Sequence, residues 1–219
     1  MKRFLLAGLS AVVLLASSCV KPKDTPTGDA HIRFINAVVG SPSQDVYINS
    51  VLVSSGKLPY GGVTSYMTYT AGINQIVFVD GITHISQASE DYGSDIGDYA
   101  TFYFYGNMQG TLSAGGIKDN MTPPATGKAR VRFINLDYNL TNAMIVAVVG
   151  GNNLFTSLQF ATASTYYEVD PGTKFQASAA GVTTAPVMDF NLQAGKIYTV
   201  WLSGASATEI YGNAILQNQ

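Results

Sequence analysis

The sequence has 219 residues, of which 12% are charged and 47% hydrophobic, with a formal net charge of −2. That balance excludes an intrinsically disordered chain, and with no basic face or tail it argues against nucleic-acid binding. A single cysteine excludes an internal disulfide, so the fold must rest on packing and backbone hydrogen bonds.

Lys2 and Arg3 precede an apolar run from Phe4 to Ala16, and Ser17-Ser18-Cys19 closes it. The run is too short to span a bilayer and reads as a cleaved secretion signal. The small-small-Cys junction resembles a bacterial lipoprotein signal, although Ala16 stands where such signals more often carry Leu. The resemblance implies that residues 1–18 are removed and that Cys19 becomes the lipidated first residue of the mature chain. A multi-chain lipid holds firmly, since each buried methylene contributes ~0.8 kcal/mol. Membrane lipid is then one partner, and the location is the cell envelope. Val20 after the cysteine, rather than Asp, points to the outer membrane by analogy with lipoprotein sorting. Residues 19–30 carry Lys, Pro, Asp and Thr and form a polar tether.

From His31 onward the strand signals dominate. Val46 to Asn49, Ser65 to Thr70, Ile73 to Asp80 and Tyr99 to Tyr105 are rich in β-branched and aromatic residues, each bounded by turn formers. No helical period is sustained outside the signal. The chain also repeats itself at an interval of about 100 residues. His31-Ile-Arg-Phe-Ile-Asn36 recurs as Arg130-Val-Arg-Phe-Ile-Asn135. Tyr60, Ser65, Tyr66 and Gly72 recur as Phe160, Thr165, Tyr166 and Gly172. Gly97 with Thr101 to Phe104 recurs as Gly195 with Thr199 to Leu202. The expected fold is all-β: two tandem immunoglobulin-like β-sandwich domains after a lipoprotein signal peptide. The units are placed at residues 31–120 and 128–217, joined by the Pro-bearing linker 121–127.

Ala129 to Asn135, preceded by Asp119 to Lys128, resembles the start of a second unit in the bacterial family called domain of unknown function 4397. Asp45 to Asn49 with Val51 to Val53, and Ala194 to Val200, resemble the same family. The resemblance covers nearly all of the mature chain and implies an envelope or secreted protein with all-β domains. It carries over no catalytic residue and no cofactor. The second unit departs from the pattern at Leu136 to Asn142.

Chemistry-bearing groups are few. His31 and His84 are the only histidines, and no Gly-x-Ser-x-Gly elbow is present, which leaves no serine triad. Two separated histidines and a lipidated cysteine do not make a zinc site. Glu90, Asp91, Asp95 and Asp98 lie in one short stretch, weak calcium candidates whose spacing departs from an EF-hand loop. Asp91 and Asp95 also supply the alternative of a glycan hydrolase, and the stretch that of a calcium-dependent adhesion module. The second unit keeps only one of these acids, Asp189, so a solvated hairpin turn is the simpler reading. Arg33 and Arg132, inside the two opening strands, are either ligand hooks or, as is more common, structural residues whose stems cover apolar surface and whose heads pair with a carboxylate or backbone carbonyl. The aromatic run Tyr99 to Tyr105 is the most suggestive feature. Period two sends Ala100, Phe102 and Phe104 to the core and Tyr99, Thr101, Tyr103 and Tyr105 to the other face. The matching face of the second unit carries Ile197, Thr199, Trp201 and Ser203. Tyr99, Tyr103, Tyr105 and Trp201 are therefore the candidate ligand-binding residues, for a glycan or an envelope protein, unless the other domain covers them. No catalytic role follows, and the expected function is non-catalytic binding or scaffolding.

Overall fold

The computed structural model describes residues 27–54, 57–107, 109–183 and 186–218. Cys19, the expected signal 1–18 and all but the end of the tether lie outside the described residues. Alternating apolar residues build strands such as Gln44–Ile48, Gly72–Asp80 and Phe175–Ser178, while Ser86–Ser94 is largely polar. In the first half the strands are β1 (Asp29–Asn36), β2 (Gln44–Ile48), β3 (Val51–Leu52), β4 (Met67–Thr70), β5 (Gly72–Asp80), β6 (Ser86–Ser94), β7 (Tyr99–Gly106) and β8 (Leu112–Asp119). The second half repeats the series as β9 (Ala129–Asn135), β10 (Met144–Val148), β11 (Asn153–Leu158), β12 (Tyr167–Val169), β13 (Phe175–Ser178), β14 (Val187–Met188), β15 (Ile197–Ser203) and β16 (Tyr211–Leu216). No helix occurs among the described residues.

The strands form four sheets of four, and hence two β-sandwiches. The first half gives the orders β4-β1-β7-β8 and β3-β2-β5-β6; the second gives β12-β9-β15-β16 and β11-β10-β13-β14. Strand for strand the two halves have one topology. Each has a parallel pair at the centre of one sheet, β1 with β7 and β9 with β15, while the other pairings are antiparallel. The β2–β3 hairpin turns through Asn49 and Ser50, both in the left-handed region at φ 48° and 68°. Two such residues give the twist that an antiparallel hairpin needs, and Asn tolerates the conformation well.

Each sandwich encloses its own core. Phe34, Phe78, Phe102 and Phe104 fill the first, with Phe78 stacked on Phe104 at 5.2 Å. Phe133, Phe175, Met144 and Val200 anchor the second. The inward set expected for β7, Ala100, Phe102 and Phe104, lies in the first core. A third apolar cluster runs between the sandwiches: Ile35, Ala37, Tyr103, Ile134, Leu136, Trp201 and Ile215. The outer faces of β7 and β15 therefore turn toward the other half, not toward solvent. Tyr138 also closes on this seam. A Cβ on Gly106 would stand 2.6 Å from its ring, so only glycine lets the two halves approach this closely.

The acidic stretch differs from a single hairpin turn. Glu90 and Asp91 lie within β6, which pairs with β5 from Gly72↔Ser94 to Val79↔Ser86. Neighbours on a strand point to opposite faces, so these two acids diverge. Only residues 95–98 form the turn into β7.

Candidate functional site

The repeated arginines meet at the seam, and each reaches across it. Arg33 Nε donates to Thr101 Oγ1 at 2.9 Å and Nη1 to the Leu216 carbonyl at 2.8 Å. Arg132 Nε donates to Thr199 Oγ1 at 2.9 Å and Nη1 to the Lys118 carbonyl at 2.8 Å. Thus each opening strand sends a guanidinium to the last strand of the other half. Both arginines are buried, each 2% exposed, and each is covered by a tyrosine ring: Tyr66 at 4.6 Å from Arg33 and Tyr166 at 5.0 Å from Arg132. Asp119 joins them. Its Oδ1 accepts from Arg132 Nη2, and its Oδ2 accepts from the Tyr66 and Thr101 hydroxyls, each at 2.6 Å. Burial, reinforced by the neighbouring Asp119 charge, pushes the Tyr66 phenol well above its ordinary range, so it stays a hydrogen-bond donor.

Two adjoining clefts open beside this network, of about 340 and 570 Å³, and both are lined by Tyr99 and Met121. The first adds Arg33, Tyr66, Gln217 and Asn218; the second adds Asp98, Lys118 and Asn120. Tyr99 is held in a ladder of rings. His31 stacks on it at 4.4 Å, and Tyr66 meets it edge-on at 5.2 Å. At the second cleft Lys118 Nζ lies 2.5 Å from Asp98 Oδ1. Burial works against the Asp98 charge, but the bond from Lys118 and the backbone N–H of Asp95 outweigh it and hold the carboxyl below its usual range.

The four aromatic candidates separate. Tyr103, 4% exposed, and Trp201, 1% exposed, are buried in the seam cluster and cannot offer a stacking face. Tyr105 is half-buried, with its ring 6.0 Å from Phe160 across the seam. Tyr99 alone of the four lines the clefts described above. Alternation marks the outward face of β7, and the other half covers most of it, the second of the two readings that the sequence left open. The acidic candidates do not gather either. Glu90 and Asp91 are exposed strand residues, Asp95 is exposed in the turn, and Asp98 is paired with Lys118. Among the described residues no group of three or more His, Cys, Asp or Glu is placed to hold a metal ion. His84 is exposed in the turn after β5, 4.0 Å from Asp45.

Two acids that sequence reasoning passed over are buried. Asp119 had no pattern around it to mark it. Asp137 falls in the segment where the second unit departs from the repeat, and it occupies the place of Val38. Its Oδ1 accepts from the Asn139 backbone at 3.0 Å, while Oδ2 has no hydrogen-bond partner.

A family model described as Domain of unknown function (DUF4397) matches residues 30–145, which take in the first sandwich, the connector and β9. No curated protein matches the chain. Among solved structures the chain is similar to the crystal structure of CBMbc, a family CBM26 module from Eubacterium rectale Amy13K, in complex with maltoheptaose. That likeness has 14% identity over 84% of this chain and 95% of the other, with a TM-score of 0.27. A superposition so loose carries no argument about ligand or mechanism.

Proposed function

The chain belongs to the family described as a domain of unknown function (DUF4397), and from that premise we propose that it is a non-catalytic binding protein of the cell envelope. In this reading the second sandwich is a second copy of the domain. Cys19 carries the lipid, the outer membrane holds the chain, and the Tyr99 clefts capture a glycan. The observation that carries the binding role is the placement of Tyr99. Its ring is fixed between His31 and Tyr66, half-buried, where a cleft between the two halves adjoins a cleft within the first half. Sugar rings stack on such a ring while their hydroxyls reach amide and charged side chains, and clefts between domains are preferred ligand sites. Asn218 and Asn120 supply amides here, and Lys118 with Asp98 supplies charge.

Binding of the protein to a panel of polysaccharides and cell-wall fragments tests this. Tyr99→Ala is expected to weaken capture about tenfold or more, the scale of losing a central aromatic contact. Tyr103→Ala is expected to act only through stability. A panel with no binder overturns the glycan reading and turns the search to protein partners. Lipidation has a separate readout: Cys19→Ala is expected to move the protein from the membrane fraction to the soluble one and to abolish its labelling by a fatty-acid analogue. An unchanged distribution overturns the lipid assignment.

A further inference from the structure

We propose that the unfilled arm of Arg33, at the seam beside Tyr99, is a subsite for the carboxylate of an acidic sugar. The inference rests on reading the cleft as a glycan site and names the class of glycan.

The two halves of the protein supply the comparison. Arg132 uses three arms: Nε on Thr199, Nη1 on the Lys118 carbonyl and Nη2 on the Asp119 carboxylate. Arg33 repeats the first two on Thr101 and the Leu216 carbonyl, but its Nη2 is a buried nitrogen with no hydrogen-bond partner. The difference lies in one residue. Asp119 follows Lys118, and at the matching place Gln217 follows Leu216. Gln217 keeps one role of Asp119, since its Oε1 accepts the Tyr166 hydroxyl at 3.0 Å as Asp119 accepts that of Tyr66. Its Nε2, however, is also buried and unpartnered. Turning the amide end for end would offer Arg33 an oxygen but no charge. Two buried guanidiniums therefore share one carboxylate.

A buried cation without its anion is a costly arrangement, and both unpartnered nitrogens belong to residues that line the 340 Å³ cleft. The group that completes the set is the one the protein already places against Arg132, a planar carboxylate. Guanidinium favours it through charge-assisted bonds. A uronic acid fits both features of the cleft, with its ring on Tyr99 and its carboxylate on Arg33. Gln217 closes the arm when the cleft is empty. A single side-chain bond from Tyr166 holds its amide, and the ligand displaces it.

Titration of the full protein with tetragalacturonate and with its methyl ester tests the assignment. The acid form is expected to bind about tenfold or more tightly than the ester, with the advantage falling as salt rises. Gln217→Glu supplies the missing carboxylate from within. It is expected to raise Tm and to abolish the preference for the acid form. Equal binding of acid and ester, no binding of either, or a preference that survives Gln217→Glu each overturns the subsite. If a neutral glycan binds and is lost with Tyr99→Ala, the glycan reading stands even where the carboxylate subsite falls.

Discussion

Asp119→Ala is expected to lower the stability of the protein by about 3–5 kcal/mol, the loss that follows when one partner is removed from a buried charge pair. Three donors converge on this carboxylate: Arg132 from one half and the Tyr66 and Thr101 hydroxyls from the other. Without it two guanidiniums remain buried, each 2% exposed, with no anion between them. In a chain of this size the melting temperature falls by roughly 2–4 °C per kcal/mol, so the drop is on the order of 10 °C. The charge, and not the lost volume, is the cause. The double variant Asp119→Ala/Arg132→Met is therefore expected to recover much of the loss, because it removes a cation along with its anion. Thermal denaturation of both single variants, Asp119→Ala and Arg132→Met, and of the double variant side by side decides the matter. An Asp119→Ala variant within about 1 kcal/mol of wild type, or a double variant whose losses simply add, would show that the seam does not depend on this pair.

Asp137→Asn is expected to do the opposite and stabilise the protein by about 3 kcal/mol at pH 7. Asp137 is 0% exposed, with one carboxylate oxygen unpartnered. Burial pushes its carboxyl up from 3.8 to about 6, against the smaller opposing effect of bonds from Asn139. The fold thus holds the proton more tightly than the unfolded chain does. Below about pH 4 the side chain is protonated in both states and contributes no penalty. Between about pH 4 and 6 the unfolded chain releases the proton first, and native stability falls as pH rises. Above about pH 6 the penalty is complete, and a gap from 3.8 to about 6 at 1.36 kcal/mol per pH unit gives the 3 kcal/mol. The uncharged amide keeps the acceptor for Asn139 and escapes the penalty. Denaturant unfolding at about pH 3 and pH 7 should show the variant equal to wild type at the lower pH and more stable at the higher. A difference that does not change with pH would remove the buried charge as its cause.

Local pattern exposed the architecture well, because the architecture is written in periods. The alternation in Tyr99 to Tyr105 separates Phe102 and Phe104 from Tyr103 and Tyr105, and the structure keeps that division. Alternation says which residues share a face, however, and not what the face meets. For Tyr103 and Trp201 it leaves two readings, an exposed platform or a face covered by the other domain, and the seam cluster decides for the second. The acids misled for a related reason. Closeness in sequence suggested a cluster, but strand β6 carries Glu90 and Asp91 to opposite sides. Position inside apolar strands marks the arginines as residues whose heads pair within the fold, and each does pair with a backbone carbonyl. Their partners, the carbonyls of Leu216 and Lys118, lie in the other half of the chain and so outside any local pattern. Asp137 shows what the repeat could have revealed. Aligning the halves sets a carboxylate on the place of Val38, a core residue, and that substitution is the only sign that its charge would be buried.

The first strand has a mechanical consequence. β1 is bonded on both sides, to β4 from Asp29 to Ile32 and to β7 from His31 to Asn36. A tension applied to the chain ahead of Asp29 draws β1 along its own length. The ladder bonds to β4 run across that pull, and those to β7 slant across it. They must shear together and cannot unzip singly as at a frayed hairpin. Force entering at this end is carried into the middle of a sheet, and through Arg33 and the Leu216 carbonyl it passes to the far half. A protein suspended by its N-terminal end would bear a load there through a strand bonded along both edges.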